Sequence, residues 1–349
     1  MSRAISVDLG TMFFQTAEKN MDGTVKFQII RNAFVEMAGG EDTKDTLKSN
    51  GWNYVQDGDK FYIVGEDAIK VAKAFPNRVE LRRPLADGVL NKGEDKKMMV
   101  LDYIVGSTVT QAPDDKSLVC FCISSPPVDG SQDSQFHKMR VGAMFTNRGW
   151  KVKVIEEAFA VILAERPSVT EIIDGVEKEA PYSGLGISFG AGRVNCVLAY
   201  KGVQVIGMSA ARSGDYIDKQ VVDATGLPLA QVTSHKEKNL DFDNLGDTDL
   251  DAALDVYYGE MIRYVFTLFG KKFQEVKSEF DAPLDVVIAG GTSMPKGFVK
   301  KAKSVIQGMP LPFKVKDVRH ARDPRNAVVE GCLAQAIVSQ KRLEKGAEI

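Results

Sequence analysis

The fold is indicated by the stretch Leu185-Gly-Ile-Ser-Phe-Gly-Ala-Gly-Arg-Val-Asn-Cys-Val-Leu-Ala-Tyr200, in which a glycine turn joins two apolar strands. Lys201-Gly202 then form a hairpin turn into a third strand, Val203–Met208. The stretch Ala4-Ile-Ser-Val-Asp-Leu-Gly-Thr11 opens in the same way, and we predict that the strand after it passes through Thr24–Ile30. Because the same strand, turn and strand recur in both halves, we predict two lobes of related fold.

Strands and helices alternate in the remainder of both halves. The first half is predicted to contain the strand 117–123, the helix 135–147, the strand 151–155 and the helix 157–165. The second half is predicted to contain the helix 250–277, the strand 284–289 and the helices 296–306 and 327–343. This alternation is typical of a mainly parallel sheet covered by helices on both faces, and it places the protein in the α/β class.

We assign residues 1–157 together with 320–349 to lobe I, and residues 158–319 to lobe II. Lobe I has a polar, turn-rich small subdomain at about 33–75. Lobe II has a mostly helical one at about 216–260, which contains the acidic stretch Asp241–Asp251. We interpret that acidic stretch as a solvated loop.

The charge balance argues against two classes of partner. The 349 residues include 45 Lys and Arg against 47 Asp and Glu, so the net charge is −2. A broad nucleic-acid surface needs a basic face, which this balance gives no reason to expect. No apolar run approaches the roughly 20 residues of a membrane-spanning helix. We therefore expect a cytoplasmic protein with no nucleic-acid partner and no direct membrane insertion.

The four cysteines predict core positions rather than a metal site. Cys120 and Cys122 are two residues apart in an apolar strand, so their side chains point to the same face. A metal there would need two more ligands nearby, and none of the three histidines lies at ligand spacing. We expect buried, reduced thiols.

Three glycine turns follow apolar strands and carry the candidate chemistry. In Asp8-Leu9-Gly10-Thr11, the glycine lets backbone N–H groups approach a phosphate and the threonine adds a hydroxyl donor. Asp8 could hold Mg²⁺ through its water shell. Gly190-Ala191-Gly192 offers a second cradle, and Gly290-Gly291-Thr292 offers a third turn before a helix N-terminus. Any one of them alone is equally compatible with an ordinary turn, whereas three in this order predict an anionic ligand.

Together these features resemble the superfamily of actin, heat-shock chaperones and sugar kinases, and within it the MreB-like bacterial actins. The resemblance covers nearly the whole chain. It rests on Val7–Thr11, Val64–Ala68, Arg82–Val89, Val154–Ala160, Ser188–Gly192, Arg212–Asp218, Val287–Met294 and Asn326–Gly331. The most specific part is Val-Gly-Glu-Asp-Ala at 64–68 followed by Arg-Arg-Pro-Leu-Ala-Asp-Gly-Val at 82–89.

The resemblance implies an actin-like fold, with ribonuclease H-like mixed sheets in both lobes and ATP or ADP with Mg²⁺ in a cleft between them. It implies that Glu157 orients the attacking water, with Asp8 beside the metal. The nucleotide-binding residues that it implies are Gly10, Thr11, Ser188, Gly190, Ala191, Gly192, Gly214, Asp215, Lys236, Glu237, Gly290, Gly291, Thr292 and Met294. For Lys236 and Glu237 the alternative is a solvated helix end.

One departure from the family pattern bears on activity. Ser188 stands where the family usually has an aspartate that helps to organise Mg²⁺ and the hydrolytic water. Two outcomes are open: hydrolysis is slowed, or another carboxylate compensates. The printed sequence enters a strand directly, without an amphipathic helix, so we expect that the membrane binding of MreB does not carry over.

The resemblance favours a protein that polymerises head to tail into cytoskeletal filaments in an ATP-dependent manner and is a weak ATPase. The alternative is a nucleotide-binding adaptor, similar to PilM and FtsA, that docks other proteins and does not polymerise. A small-molecule kinase ranks last, because no catalytic aspartate facing a substrate pocket stands out.

Overall fold

The computed structural model describes residues 2–75, 78–90, 95–130, 134–165, 169–173, 176–180, 182–276 and 283–348. The strands are β1 (Ala4–Leu9), β2 (Phe13–Lys19), β3 (Val25–Arg31), β4 (Phe34–Ala38), β5 (Tyr54–Asp57), β6 (Lys60–Val64), β7 (Leu81–Arg82), β8 (Leu118–Ile123), β9 (Lys151–Glu156), β10 (Val169–Ile173), β11 (Val176–Ala180), β12 (Gly184–Phe189), β13 (Val194–Tyr200), β14 (Val203–Ala210), β15 (Leu284–Ala289) and β16 (Val315–His320). The helices are α1 (Glu41–Ser49), α2 (Glu66–Ala74), α3 (Asp95–Thr108), α4 (Ser134–Thr146), α5 (Glu157–Ala164), α6 (Gly214–Thr225), α7 (Leu229–Lys238), α8 (Asp249–Glu275), α9 (Phe298–Gln307) and α10 (Ala327–Glu344). None of these helices is long and apolar enough to cross a membrane.

Two five-stranded sheets share one topology, which confirms the repeat predicted from the sequence. Their strand orders are β3-β2-β1-β8-β9 and β14-β13-β12-β15-β16. In each sheet the central strand pairs antiparallel with the strand that follows it: β1 with β2, and β12 with β13. Its other neighbour is parallel, β8 for β1 and β15 for β12. Both sheets are therefore mixed, and both central strands end at a glycine turn.

The first glycine turn leads into a hairpin of two strands, where the sequence analysis expected one strand through Thr24–Ile30. The chain first forms β2, turns at residues 20–23, and returns as β3. Gly23 adopts a φ of +88°, which favours glycine. The period-two pattern is lost in β2 because Phe14, Gln15 and Thr16 are all buried in succession. A strand buried on both faces gives no alternation to read.

The chain divides into two compact units. One comprises Met1–Phe121, Gln132–Val154 and Ala336–Ile349, and the other comprises Cys122–Ser131 and Ile155–Gln335. Within the first unit, β5, β6, β4 and β7 form a separate four-stranded sheet, whose core includes Val35, Phe61 and Ile63. The lobe boundaries assigned from the sequence, and the cleft between lobes, remain predictions.

The sheet of the second unit is covered on both faces. Leu185, Ile187 and Phe189 point from β12 into a core shared with α6, α8 and α9. The alternate positions Gly186 and Ser188 therefore face the opposite side, where α5 lies against β12. A Cβ atom on Gly186 would stand 2.7 Å from the carbonyl oxygen of Ala158, so the glycine permits the close approach of this helix. Ser188 consequently faces the start of α5.

The acidic stretch Asp241–Asp251 is not a single solvated loop, so that interpretation was wrong in part. Its last residues begin α8, where Thr248 is the N-cap and its side chain accepts a hydrogen bond from the backbone N–H of Asp251. Asp251 is buried and also contacts His235 at 2.7 Å. Acidic residues in a first turn are favoured by the helix dipole, a reason that composition alone does not reveal.

All four cysteines are buried, reduced thiols, as predicted. Burial raises the pKa of the Cys196 thiol well above its ordinary value, which keeps it protonated. Within the described residues, no cluster of three or more His, Cys, Asp or Glu side chains is arranged to hold a metal ion.

Candidate functional site

The turn Gly190–Gly192 joins β12 to β13 and depends on glycine at its first position. The backbone N–H of Gly190 donates a hydrogen bond to the carbonyl oxygen of Arg193 at 3.0 Å. A Cβ atom on Gly190 would lie 2.7 Å from that same oxygen, closer than real Cβ contacts allow. Since the obstructing atom belongs to the backbone, a side chain here would force the turn to move.

The turn after β1 has the same constraint at the corresponding residue. A Cβ atom on Gly10 would lie 2.8 Å from the carbonyl oxygen of Phe13, three residues further on. The carbonyl of Gly10 accepts a hydrogen bond from Asn32 Nδ2 at 2.9 Å. In a trans peptide the C=O and the next N–H point in opposite directions, so the N–H of the buried Thr11 points away from Asn32. The sequence repeat is therefore also a repeat of local backbone geometry.

The start of α6 lies against the second glycine turn. The N–H groups of Gly214 and Asp215 donate to the carbonyls of Gly190 and Ala191 at 3.2 and 2.8 Å. These bonds turn both carbonyls towards α6, so the N–H groups of Ala191 and Gly192 point away from it. A cradle of backbone donors of this kind suits an anion.

Thr292, from the third glycine turn, reaches the same carbonyl. Its hydroxyl donates to Gly190 O at 2.9 Å. A Cβ atom on Gly214 would lie 2.5 Å from this hydroxyl oxygen and 3.3 Å from the Cα of Ala191. Three segments that are far apart in the sequence, around residues 190, 214 and 292, therefore meet within one unit.

The third turn itself is strained in a way that glycine tolerates. Gly290 adopts a φ of +94°, and Gly291–Ser293 form a single 3₁₀ turn. Met294 follows and lines an open concavity of about 930 Å³ together with the α9 side chains and His320. His320 also contacts Ser293 O at 3.0 Å, and burial lowers its pKa.

Glu157 lies at the N-terminus of α5 and is held by two hydrogen-bond donors. Ser188 Oγ donates to its Oε1 at 2.6 Å, and Asn195 Nδ2 donates to its Oε2 at 2.8 Å. Both donors are buried. A helix N-terminus also favours negative charge. Ser188, which stands where MreB-like actins usually have an aspartate, therefore acts as a donor to Glu157, whereas an aspartate here would bring a second carboxylate to the same place.

Asn195 was missed in the sequence analysis. It is the direct cross-strand partner of Ser188, and it lies seven residues further along the chain. In the first sheet, Gln15 has the same relation to Asp8. A search for polar residues at this spacing on either side of the glycine turns would have found both amides.

Asp8 and Gln15 provide oxygen donors that fit a hydrated magnesium ion. Asp8 is partly buried, and Gln15 is buried beside it on the neighbouring strand. Within the described residues, Gln15 Oε1 has no hydrogen-bond partner. A buried acceptor without a donor is costly, and water in a magnesium shell is a donor that would satisfy it. The residues present therefore fit Mg²⁺.

Lys236 and Glu237 have different environments. Lys236 is buried, and its ammonium group lies 2.6 Å from Asp218 and donates to Gly214 O at 2.9 Å. Glu237 is exposed on the same helix, α7. The lysine therefore supports the carbonyl of Gly214 at the start of α6, and the description of a solvated helix end suits only the glutamate.

Comparison with solved structures identifies the fold. The chain is similar to the MamK double helical filament, with a TM-score of 0.67, 18% identity, and coverage of 97% of this chain and 99% of that chain. It is also similar to MreB5 of Spiroplasma citri bound to ADP, with a TM-score of 0.69, 15% identity, and coverage of 99% of both chains. At these identities the likeness shows the fold alone, and that fold is actin-like, as the sequence resemblance predicted. No curated protein matches the sequence.

A protein-family model described as Volactin matches residues 3–336, which is nearly the whole chain. This match spans β1, the three glycine turns, Glu157 and most of α10. The chain belongs to the Volactin family.

Proposed function

We propose that this protein is an actin-like nucleotide-binding protein of the cytoplasm that polymerises into cytoskeletal filaments in an ATP-dependent manner and hydrolyses ATP slowly. The observation that carries the proposal is the convergence of Gly190–Gly192, Gly214 and Thr292, with Glu157 held beside them. The sequence resemblance implies each of these residues independently of their positions in the fold.

Nucleotide binding would use backbone donors for the phosphates. The N–H groups of Ala191 and Gly192 point away from α6, and the N–H of Thr11 points away from Asn32. Donors that are fixed in a turn need no reorganisation when they bind an anion. The adenosine would lie against Gly290–Thr292 and Met294. The similar MreB5 structure is bound to ADP, which supports this assignment.

Magnesium would be held through its water shell by Asp8, with Gln15 Oε1 as a further acceptor. When bound, the ion neutralises phosphate charge and stabilises the charge that develops during phosphoryl transfer. The protein's own residues supply the remaining functions. Ser188 and Asn195 donate hydrogen bonds to Glu157 and fix the direction of its carboxylate, which would orient the attacking water.

Hydrolysis is expected to be slow because position 188 contributes no charge. The carboxylate that MreB-like actins usually place there is replaced by a hydroxyl whose proton is donated to Glu157. Position 188 then adds no second carboxylate beside Glu157 to act on the water. This is the reason for proposing a weak ATPase.

Self-association would be head to tail. Contacts of this type are heterologous, and they produce open filaments when the rotation between subunits does not close a ring. The similar MamK structure is described as a double helical filament, which supports the proposal. A lobe angle that depends on the nucleotide would couple ATP binding to subunit addition.

A second candidate is an adaptor that binds ATP, docks partner proteins and does not polymerise. Ser188 favours it, because a protein that only needs to hold nucleotide can dispense with a charge that serves hydrolysis. The two candidates share the nucleotide site and differ in whether copies of the chain assemble.

The test is light scattering with pelleting of the purified protein in Mg²⁺ with ATP, with ADP or without nucleotide, alongside phosphate release. We expect ATP-dependent scattering, material that pellets, and filaments by negative stain, with slow phosphate release. Nucleotide binding without assembly at any protein concentration or salt would overturn the filament proposal in favour of the adaptor. Absence of nucleotide binding would overturn both.

A further inference from the structure

The side chain of Asn195 joins Glu157 to a second segment of the chain. Its Nδ2 donates to Glu157 Oε2 at 2.8 Å, and its Oδ1 accepts from the backbone N–H of Ser125 at 3.0 Å. Asn195 is 1% exposed, so water does not compete for either end of the amide. Both polar ends of this buried side chain are therefore used.

The orientation of this amide follows from its partners. The oxygen and nitrogen of an asparagine side chain are easily interchanged, but a backbone N–H is always a donor. The atom that faces Ser125 N must therefore be the oxygen, and the NH₂ group must face Glu157. The carboxylate thus receives a hydrogen bond whose direction is set by the backbone of Ser125.

Ser125 is itself held in place. Its carbonyl accepts from Ser209 Oγ at 2.8 Å, and its hydroxyl donates to Glu156 Oε2 at 2.5 Å. The next carbonyl, of Pro126, accepts from the backbone N–H of Ser209 at 2.9 Å. The N–H that orients Asn195 is therefore rigidly positioned against β14.

The far end of the same segment is anchored by Asp129. Its carboxylate accepts from Arg193 Nη2 at 2.9 Å, from the backbone N–H of Ala211 and from Tyr264 Oη at 2.7 Å. Burial and the bond to Asp129 raise the pKa of Tyr264 to about 12, so the phenol stays protonated and donates. The segment 124–130 is thus fastened at both ends to the unit that contains Glu157.

We propose that Asn195 is a positioning residue for hydrolysis. It holds Glu157 Oε2 by a bond that depends on the place of the segment 124–130, while Ser188 holds Oε1. The inference rests on the proposed function, because it assigns Asn195 a part in orienting the water on which Glu157 acts. It also adds that displacement of the segment 124–130 would disturb the hydrogen bond from Asn195 to that carboxylate.

Asn195→Asp tests this with almost no change in shape. The new carboxylate can still accept from Ser125 N, but it places an acceptor against Glu157 where there was a donor. Misplacing a reacting group by about 1 Å costs on the order of 100-fold in rate, so we expect a fall of that size in the single-turnover rate of phosphate release. Nucleotide affinity should stay within about two-fold, because no contact of the glycine turns is altered.

The pH profile separates positioning from a structural effect. Two carboxyl groups this close share a proton, and the shared proton restores a donor between them. The rate of Asn195→Asp relative to wild type should therefore rise as the pH is lowered from 8 to 6. Asn195→Ser, which is too short to reach Glu157, should lose a similar rate and show no such recovery.

Cys196→Ala is the matched control. Cys196 is the next residue on β13, is fully buried and belongs to the apolar core on the opposite face. It should lower the melting temperature and leave the single-turnover rate unchanged. If Asn195→Asp and Asn195→Ser released phosphate in a single turnover as fast as Cys196→Ala, the role of Asn195 would be overturned and the proposed hydrolysis would stand. No phosphate release by the wild type would overturn the proposed hydrolysis, and the role of Asn195 with it.

Discussion

The turn after β1 and the turn after β12 share one backbone constraint and have different side chains. At both, a Cβ on the first glycine would meet the carbonyl oxygen three residues on, at 2.8 Å for Gly10 and 2.7 Å for Gly190. At both, a polar residue two positions before that glycine pairs across the strands with an amide, Asp8 with Gln15 and Ser188 with Asn195.

The carboxylate is where the two halves differ. In the first half it lies on the strand, as Asp8, and the buried Gln15 Oε1 has no partner among the described residues. In the second half the strand offers the hydroxyl of Ser188, and the carboxylate comes from α5, as Glu157. In the first half, Gln15 Oε1 remains available to a donor from outside the protein. In the second half, the carboxylate of Glu157 accepts hydrogen bonds from Ser188 and Asn195. A repeated turn can therefore keep its backbone constraint while the polar residues beside it have different roles.

The largest expected effect is a loss of stability in acid that arises from a buried histidine of the first unit. His137 is buried in α4, its Nδ1 accepts from Leu90 N at 3.2 Å, and burial lowers its pKa to about 4. The unfolded chain takes up this proton near pH 6.5, so stability present above pH 6.5 is lost as the pH falls towards 4. At about 1.4 kcal/mol per pKa unit, the loss is roughly 3 kcal/mol.

Urea unfolding between pH 7 and pH 4 measures this loss. In His137→Gln, whose amide oxygen can still accept from Leu90 N, the change in unfolding free energy with pH should shrink by that amount. The same slope in the variant would show that other groups cause the acid sensitivity.

Next in size, substitution of either turn glycine should weaken nucleotide binding. Gly10→Ala and Gly190→Ala both press a Cβ atom against a backbone oxygen, and local strain of this kind costs about 1–3 kcal/mol. Titration with ATP and Mg²⁺ should show a loss of about 10- to 100-fold in affinity for each. Gly308→Ala, whose Cβ would meet its nearest atom at an ordinary 3.7 Å, is the control. If only one of Gly10→Ala and Gly190→Ala lost nucleotide affinity, the two turns would not be equivalent.

Position 188 gives a smaller effect on stability. Ser188→Ala removes one hydrogen bond to Glu157 and should cost about 1 kcal/mol of unfolding free energy without nucleotide. Ser188→Asp copies the first half and should cost more, because its carboxylate faces that of Glu157. Equal costs by urea unfolding would mean that the two side chains do not repel, and that the second half could have kept the strand carboxylate.

The smallest effect concerns the unpaired acceptor of the first half. Gln15→Leu removes a buried oxygen without a partner, so the protein without ligand should be no less stable. Magnesium affinity in the presence of ADP should fall about five-fold, corresponding to about 1 kcal/mol for one lost hydrogen bond. The counterpart, Asn195→Leu, removes two satisfied bonds and should be clearly destabilising. Calorimetric titration with Mg²⁺ and melting curves of the two variants test this contrast, and similar melting temperatures would contradict it.

The fold could be predicted from the sequence to a large extent. The apolar strands ending in Gly10 and Gly190, and the alternation of strands and helices around them, depend on neighbours within a few residues. Such short-range rules can be read directly. The prediction failed where burial on both faces removed the period of two, as in β2. It also failed where acidic residues lie in the first turn of a helix rather than in a solvated loop.

What the sequence determined by itself was therefore the repeated strand and glycine turn, because a tight turn and a buried strand restrict residue type locally. Only the tertiary structure decided which polar side chains meet. Glu157, Ser188 and Asn195 come together because the register of β12 and β13 sets one pair and the approach of α5 over Gly186 adds the third. The burial of Lys236 was decided in the same way. Its ammonium group is buried because the fold places Asp218 and the carbonyl of Gly214 beside it, and a buried charge needs such partners.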